Sequence, residues 1–386
     1  MTTTTTALPT VLAFGAWLKN SACLLVNGKA VWSEVHGDLS DPLACEALEA
    51  SVKRLLTGHG RPIAAVAHDL HPDFFSTQLA VHTAAELGVP AIGVQHHHAH
   101  IATVIAEHRL EEPVIGLALD GVGLGTDGLA WGGELLRAEG ARWERLGHLQ
   151  PLALPGGDRA AVEPWRMAAS ALHALGRGDE ITARWAPLVG DAMAGGLQQM
   201  LARDLNCPRT SSTGRWFDAA AGALGLCLRQ TDEAEAAMAL ESAAQRWLVQ
   251  HPDTAALPGA AIDAHNRLML GDLLAHLLDA PRAHIDAAAA GFHLALADAL
   301  ARWAQQAAQA SGSHTVCLAG GCFFNRILCE RVSAQLDAAG YQVLLPGDRG
   351  CGDAGLAIGQ AWVAAQQLTT PHPISPFFTK EPEPCV

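Results

Sequence analysis

One order of elements occurs twice in this chain, and that repetition constrains the fold more than any single motif. Three β-patterned runs open the first half, at residues 11–16, 22–26 and 30–35, with Asn27-Gly28 as a hairpin turn between the last two. A helix over about 42–56, an apolar run at 63–67, a helix over about 74–87, a run at 91–94 and another helix follow. The second half restarts at 114–120, with strands at 128–136 and 143–149. It resumes much later with a strand at 315–319, a helix near 325–339, a strand at 343–345 and a final helix from Asp353. Each half therefore reads βββαβαβ, which predicts an α/β protein of two lobes, 1–112 and 113–386, each a mixed sheet flanked by helices. Between about 160 and 310 Ala, Leu and helix-compatible polar residues dominate, so this block is expected to be a helical insertion in the second lobe.

With 49% hydrophobic and 17% charged residues in 386, the chain is globular and not disordered. Its net charge of -14 argues against a broad nucleic-acid or anionic-membrane surface, so any nucleotide must be held in a local pocket. The nine cysteines contain no Cys-x-x-Cys pair, which excludes a zinc-finger framework and speaks against a disulfide scaffold. Cys23, Cys227 and Cys317 lie in apolar runs and are expected to be buried free thiols, and Cys385 an exposed one. No signal peptide or membrane-spanning run is evident, which points to the cytoplasm. Residues 2–6 read as a frayed terminus and 371–386 as a Pro-rich docking tail.

His96 and His100 in Gln95-His-His-His-Ala-His100 are spaced i, i+4 at the mouth of a predicted helix, which puts both imidazoles on one face. Asp353, opening the final helical pattern, is a candidate oxygen ligand. Two His and one carboxylate leave coordination positions open, as in catalytic sites, and suit iron or zinc equally. A solvated or adventitious His tract is the plain alternative.

Asp120-Gly-Val-Gly-Leu-Gly-Thr-Asp-Gly128 follows a predicted strand. Gly121, Gly123, Gly125 and Gly128 permit positive φ and close approach of amides to phosphate. A dinucleotide loop would open a helix. Here an alternating run follows instead, giving the strand–glycine turn–strand of actin-like ATPases and sugar kinases, or a plain hairpin. Asp120 is placed to face the metal or its bound phosphate. In Leu318-Ala-Gly-Gly-Cys-Phe-Phe-Asn325, Gly320 and Gly321 allow a base or ribose to lie against the backbone. Asn325 offers both donor and acceptor, or simply caps a helix.

Gly156 and Gly157 suit close backbone approach to a ligand, and Arg166 bidentate anion binding, with a tight turn and a surface Arg as the alternative. Asp218 suits a grip on ribose hydroxyls, or is a solvated helix carboxylate. Lys19, in the first hairpin, can supply charge to a phosphate or carbamoyl oxygen, or sit in an exposed turn.

Residues 94–102, 120–134, 155–168, 210–226, 318–328 and 352–361 together resemble the C-terminal region of the hydrogenase-maturation carbamoyltransferase family HypF. Asp69-Leu-His-Pro-Asp73 and Leu18-Lys-Asn20 fit it as well, and the resemblance spans about 12–366. That region is similar to the tRNA threonylcarbamoyl transferase TsaD and to antibiotic O-carbamoyltransferases. It implies duplicated actin-like, Hsp70-like (ribonuclease H-like) ATPase lobes. It also implies carbamoyl transfer from carbamoyl phosphate and ATP, with magnesium and through carbamoyl-adenylate, to the C-terminal cysteine of HypE for cyanide-ligand synthesis. By the same resemblance His96, His100 and Asp353 hold one iron or zinc ion with Asp120 close by, while Asp218, Gly320, Gly321 and Asn325 line the nucleotide. Two other readings remain: threonylcarbamoyl transfer to tRNA, which the charge opposes, and a non-catalytic nucleotide-binding scaffold.

The family's upstream acylphosphatase, zinc-finger and adenylate-forming domains are not read in this sequence, as expected of either a naturally short homologue or a separate domain, with a separate adenylate-forming domain as an expected partner. Ala354 replaces a usual glycine, and Phe324 a usual glutamine. Thr231-Asp-Glu-Ala234 lacks the usual aromatic and glycine, which weakens any role for Glu233.

Overall fold

The structure, a computed structural model, describes residues 8–347 and 349–369. They form two compact units. The first contains residues up to 114, 136–145 and the chain from 346; the second contains 115–135 and 146–345.

The first unit is built on a five-stranded sheet of β1 (Val11–Ala13), β2 (Cys23–Val26), β3 (Lys29–Trp32), β4 (Ala65–Asp69) and β5 (Ala91–Val94), in the order β3-β2-β1-β4-β5. β1, β2 and β3 pair antiparallel, whereas β1, β4 and β5 pair parallel. Asn27 and Gly28 take φ of 51° and 72°, the paired left-handed conformation that a tight hairpin needs. β1 is central and wholly buried, while β3 at the edge alternates exposed and half-buried residues. Leu12, Phe14, Leu24 and Val66 pack with Leu48 and Val52 of the helix Pro42–Gly58 and Ala80 of the helix Phe75–Leu87.

The second unit carries the larger sheet. Its path is β11 (Ala261–Ile262), β12 (Arg267–Met269), β8 (Arg142–Leu149), β7 (Ala130–Glu139), β6 (Val114–Leu124), β13 (Thr315–Ala319) and β14 (Gln342–Leu344). β10 (Arg209–Thr210) branches from β7 and pairs in turn with β9 (Leu152–Ala153). The segment β8-β7-β6-β13-β14 repeats the order of the first sheet, which is the expected duplication.

The block 160–310 is mainly helical, and Trp165, Leu172, Trp185, Leu197 and Leu201 form its core. It is not free of strands. β10, β11 and β12 have two or three residues each, too few for a period of two to register.

Two stretches differ from the sequence expectation: residues 136–145 and the chain from 346 both cluster with the first unit. The final helix, Leu356–Thr369, clusters with the first unit and not the second, because it packs on β1, β2, β4 and the helix His96–His108. Cys23, Cys227 and Cys317 are buried free thiols as expected. Among the described residues no helix is long and apolar enough to cross a membrane. Residues 2–6, the tail 371–386 and Cys385 lie outside the described residues.

Candidate active site

The helix His96–His108 starts where the spacing predicts. Gln95 caps it, its Oε1 accepting the His98 N–H at 2.8 Å. One helical turn apart, the His96 and His100 rings lie 4.8 Å centroid to centroid, nearly perpendicular, and both are buried. Asp353 Oδ1 lies 3.6 Å from His96 Nε2 and 3.4 Å from His100 Nε2.

The chain ends its long excursion here through close packing. A Cβ on Gly359 would stand 2.0 Å from the Ala99 carbonyl oxygen, so only glycine lets the final helix cross the histidine helix at this distance. Thr103 Oγ1 donates to Gly355 O at 3.2 Å and Ser21 Oγ to Ala354 O at 2.7 Å, fixing the turn that carries Asp353. Gln360 binds Gly15 through both side-chain groups, accepting from its N–H at 2.9 Å and donating to its carbonyl at 3.2 Å.

Asp69, at the end of β4, is fully buried. Its Oδ1 accepts the His71 N–H at 3.1 Å and its Oδ2 accepts from His96 Nδ1 at 2.7 Å. That bond places the His96 proton on Nδ1 and turns the Nε2 lone pair toward Asp353. A lone pair facing a carboxylate oxygen is repulsive, and either a cation between them or a second proton on the ring relieves it. Two ligands on one ion, with bonds of about 2.1 Å at tetrahedral angles, sit about 3.4 Å apart, close to the separations found. The donor set therefore fits a divalent ion. Sequence reading gave Asp69 no role, although an acid ending an apolar run was a signal for one.

In the second unit the glycine-rich segment is largely strand. β6 continues through Gly121 and Gly123 to Leu124, and of the four glycines only Gly128 takes a positive φ, 76°. Conformational freedom is thus not what the other three provide. Gly125 is required by space, since a Cβ there would lie 2.2 Å from Trp131 Nε1, and the Cα of Gly121 would lie 3.0 Å from a Cβ on Gly214. Ser212 Oγ donates to Gly121 O at 2.5 Å, tying the helix Thr213–Ala223 to this strand.

Asp120 Oδ1 accepts the Gly321 N–H at 3.2 Å. Gly320, at φ 99°, passes so near Leu119 that any Cβ would meet its carbonyl oxygen at 2.3 Å. The two glycine motifs predicted to serve one ligand are therefore adjacent. Asp218 lies in the helix tied to them. Burial pushes its carboxyl up to about 6, against the opposing Arg215 guanidinium, whose Nε lies 2.8 Å from Oδ2, and the Gln230 amide at 3.3 Å from Oδ1. Arg215 and Gln230 were not singled out by sequence. Asn325 caps the helix Arg326–Ala338, accepting the Leu328 N–H at 2.9 Å.

Three expectations take a different form. Arg166 is buried, and its Nε donates to Glu163 while Nη1 donates to Pro155 O at 3.3 Å, so much of the expected anion grip is already engaged. Gly156 and Gly157 donate their N–H groups to Asn206 O and Leu154 O, both at 2.9 Å. They serve a turn, at φ of 90° and 62°, and present no amides to a ligand. Lys19 is exposed in a turn at φ 45°, while the adjacent Asn20 is buried and bonds Phe14 O at 2.8 Å.

Comparison with known proteins decides the family. A model of the HypF Kae1-like domain matches residues 6–107, and one of the carbamoyltransferase Kae1-like domain, second subdomain, matches 116–360. The carbamoyltransferase HypF homolog of Cupriavidus necator is 56% identical over 380 residues, covering 97% of this chain and 96% of its own length. The chain belongs to the HypF family of carbamoyltransferases.

Carbamoyltransferase HypF2 of the same organism is 49% identical and covers 93% of this chain but only 47% of its own length. A crystal structure of full-length HypF in its phosphate- and nucleotide-bound form superposes with a TM-score of 0.84 at 30% identity, covering 95% of this chain and 47% of that one. The chain thus spans nearly all of one HypF relative and about half of the others. Two positions expected to depart from the HypF pattern can be located. Ala354 contributes its carbonyl to Ser21, and Phe324 is 56% exposed beside the Gly320–Gly321 turn.

Proposed function

We propose that this chain catalyses the carbamoyl-transfer step of [NiFe]-hydrogenase maturation, passing a carbamoyl group from carbamoyl-adenylate to the C-terminal cysteine of a HypE-type partner. The observation that carries the proposal is the His96–His100–Asp353 set with His96 oriented by Asp69. It is an open-sided ligand set of the catalytic kind.

In the second unit, Asp120, held by the Gly321 N–H, would face the phosphates of a bound nucleotide and the magnesium that accompanies them. Asp218 accepts from ribose hydroxyls, and the Gly320–Gly321 turn and Asn325 border the nucleoside. Lys19 supplies positive charge to the carbamoyl oxygen, and Arg166, neutralised by Glu163, stiffens the wall beside Gly156. The partner's thiolate attacks the carbamoyl carbon. A C–S bond forms, the C–O bond to AMP breaks, and AMP leaves with the electron pair. A bound iron or zinc ion would supply Lewis acidity, drawing charge from the mixed anhydride and the departing AMP.

The test is purified protein with ATP, labelled carbamoyl phosphate and the HypE-type partner, with and without a separate adenylate-forming domain. Label on the partner's terminal cysteine is expected. Nucleotide binding with no label under either condition would leave the scaffold reading in its place.

A further inference from the structure

The helix Ile285–Ser311 lines the second unit's core and carries a histidine that no step above uses. His293 is fully buried, with its ring 5.6 Å from Phe217 and 5.9 Å from Phe292. A histidine without exposure is expected to spend both nitrogens, and this one does. Nδ1 lies 2.8 Å from Ala289 O, one turn back on its own helix, and Nε2 lies 3.0 Å from Asn325 Nδ2.

The direction of every one of these bonds follows from one fixed donor. The Leu328 backbone N–H can only donate, so the atom of Asn325 facing it at 2.9 Å is the carbonyl oxygen, which sets the amide's orientation. Nδ2 therefore faces His293 and donates. Nε2 must then be the acceptor, so the imidazole proton is on Nδ1, where Ala289 O accepts it. The two ends of the network require the same tautomer. Burial holds the His293 pKa down at about 4, so the ring stays neutral near neutral pH and the acceptor persists. Of Asn325's side-chain groups, one N–H is taken by His293 and the oxygen accepts from the helix cap, leaving a single N–H as its remaining donor beside the oxygen's second lone pair.

We propose that His293 is a positioning residue that locks the Asn325 amide so that its remaining N–H points at the nucleotide, which must offer an acceptor there, a ring nitrogen or an oxygen. This rests on the nucleotide assignment of Asn325 and adds to it a direction and a residue that touches no ligand. It also explains why a cap residue can serve recognition: the cap alone would leave the NH2 end unsupported.

ATP affinity of the full chain, measured by calorimetry beside melting temperature, tests the proposal. Asn325→Ala first tests the underlying assignment, and unchanged ATP affinity in that variant would remove Asn325 from the nucleotide site altogether. If Asn325→Ala weakens binding, His293→Leu, which keeps bulk and loses the acceptor, should weaken ATP about tenfold. His293→Gln, whose Oε1 can accept, should recover most of that loss at a similar melting temperature. A His293→Leu protein that melts lower yet binds ATP as tightly as the parent shows a purely structural role and overturns the proposal. If His293→Leu does not fold, Asn325→Asp decides. It keeps the cap acceptor and discards the donor, so it should bind ATP as poorly as Asn325→Ala, and retained binding overturns the donor assignment.

Discussion

The carboxylate of Asp69 lies 2.7 Å from Nδ1 of His96, and both side chains are buried. The bond joins the end of one strand to the first residue of a helix 27 positions later, and aims the His96 lone pair at Asp353. A carboxylate behind a histidine raises its basicity and fixes its tautomer. Asp69→Asn is therefore expected to weaken divalent-ion affinity about 10- to 100-fold with little change in fold. Competition against a chelator of known affinity measures it, and an unchanged dissociation constant would show that Asp69 serves only the turn at His71.

The crossing at Gly359 should be intolerant of a single methyl group. Because a Cβ would meet Ala99 O at 2.0 Å and Thr103 N at 2.8 Å, backbone must move on both helices. Gly359→Ala should cost about 3 kcal/mol in urea unfolding and lower metal affinity by displacing Asp353. Stability within about 0.5 kcal/mol of the parent would mean that the helices part easily and that the crossing does not hold the ligand set.

Asp218 gives the protein a pH signature. Burial raises its folded-state pKa from 3.8 to about 6. Between those values the folded chain keeps a proton that the unfolded chain has released, so this residue's contribution to stability falls as pH rises through the window. Asp218→Asn cannot titrate. Its stability relative to the parent should therefore climb as pH rises from about 4 to about 6, by up to roughly 3 kcal/mol, and level off above. Urea unfolding at stepped pH checks this, and a difference independent of pH would place the raised carboxyl elsewhere.

Much of this fold was legible because its signals are local. The i, i+4 spacing of His96 and His100 needs only a helix, and the helix begins at His96. Asn27-Gly28 needs only a turn. The acid at the end of an apolar run was a local signal at Asp69, but its partner was out of reach because the bond to His96 depends on β4 and β5 lying side by side, which brings residues 27 apart into contact. The final helix was assigned to the wrong unit for the same reason: its partners, Gly15 and Ala99, lie more than 250 residues away and leave no periodic trace. In the glycine segment the expected positive φ is found at Gly128, while Gly125 answers to the Trp131 ring and not to its own φ. Gly156 and Gly157 show the converse, where positive φ is real but the amides are consumed within the turn.

The proposed function places the transfer centre at the histidine–aspartate set. It is tested most directly by supplying preformed carbamoyl-adenylate and following label onto the HypE-type cysteine for the parent and for His100→Ala, with bound metal and nucleotide affinity measured on the same samples. His100→Ala is expected to lose its metal and at least about 100-fold in transfer rate while binding nucleotide normally. Transfer at the parental rate by a metal-free His100→Ala protein would contradict that placement.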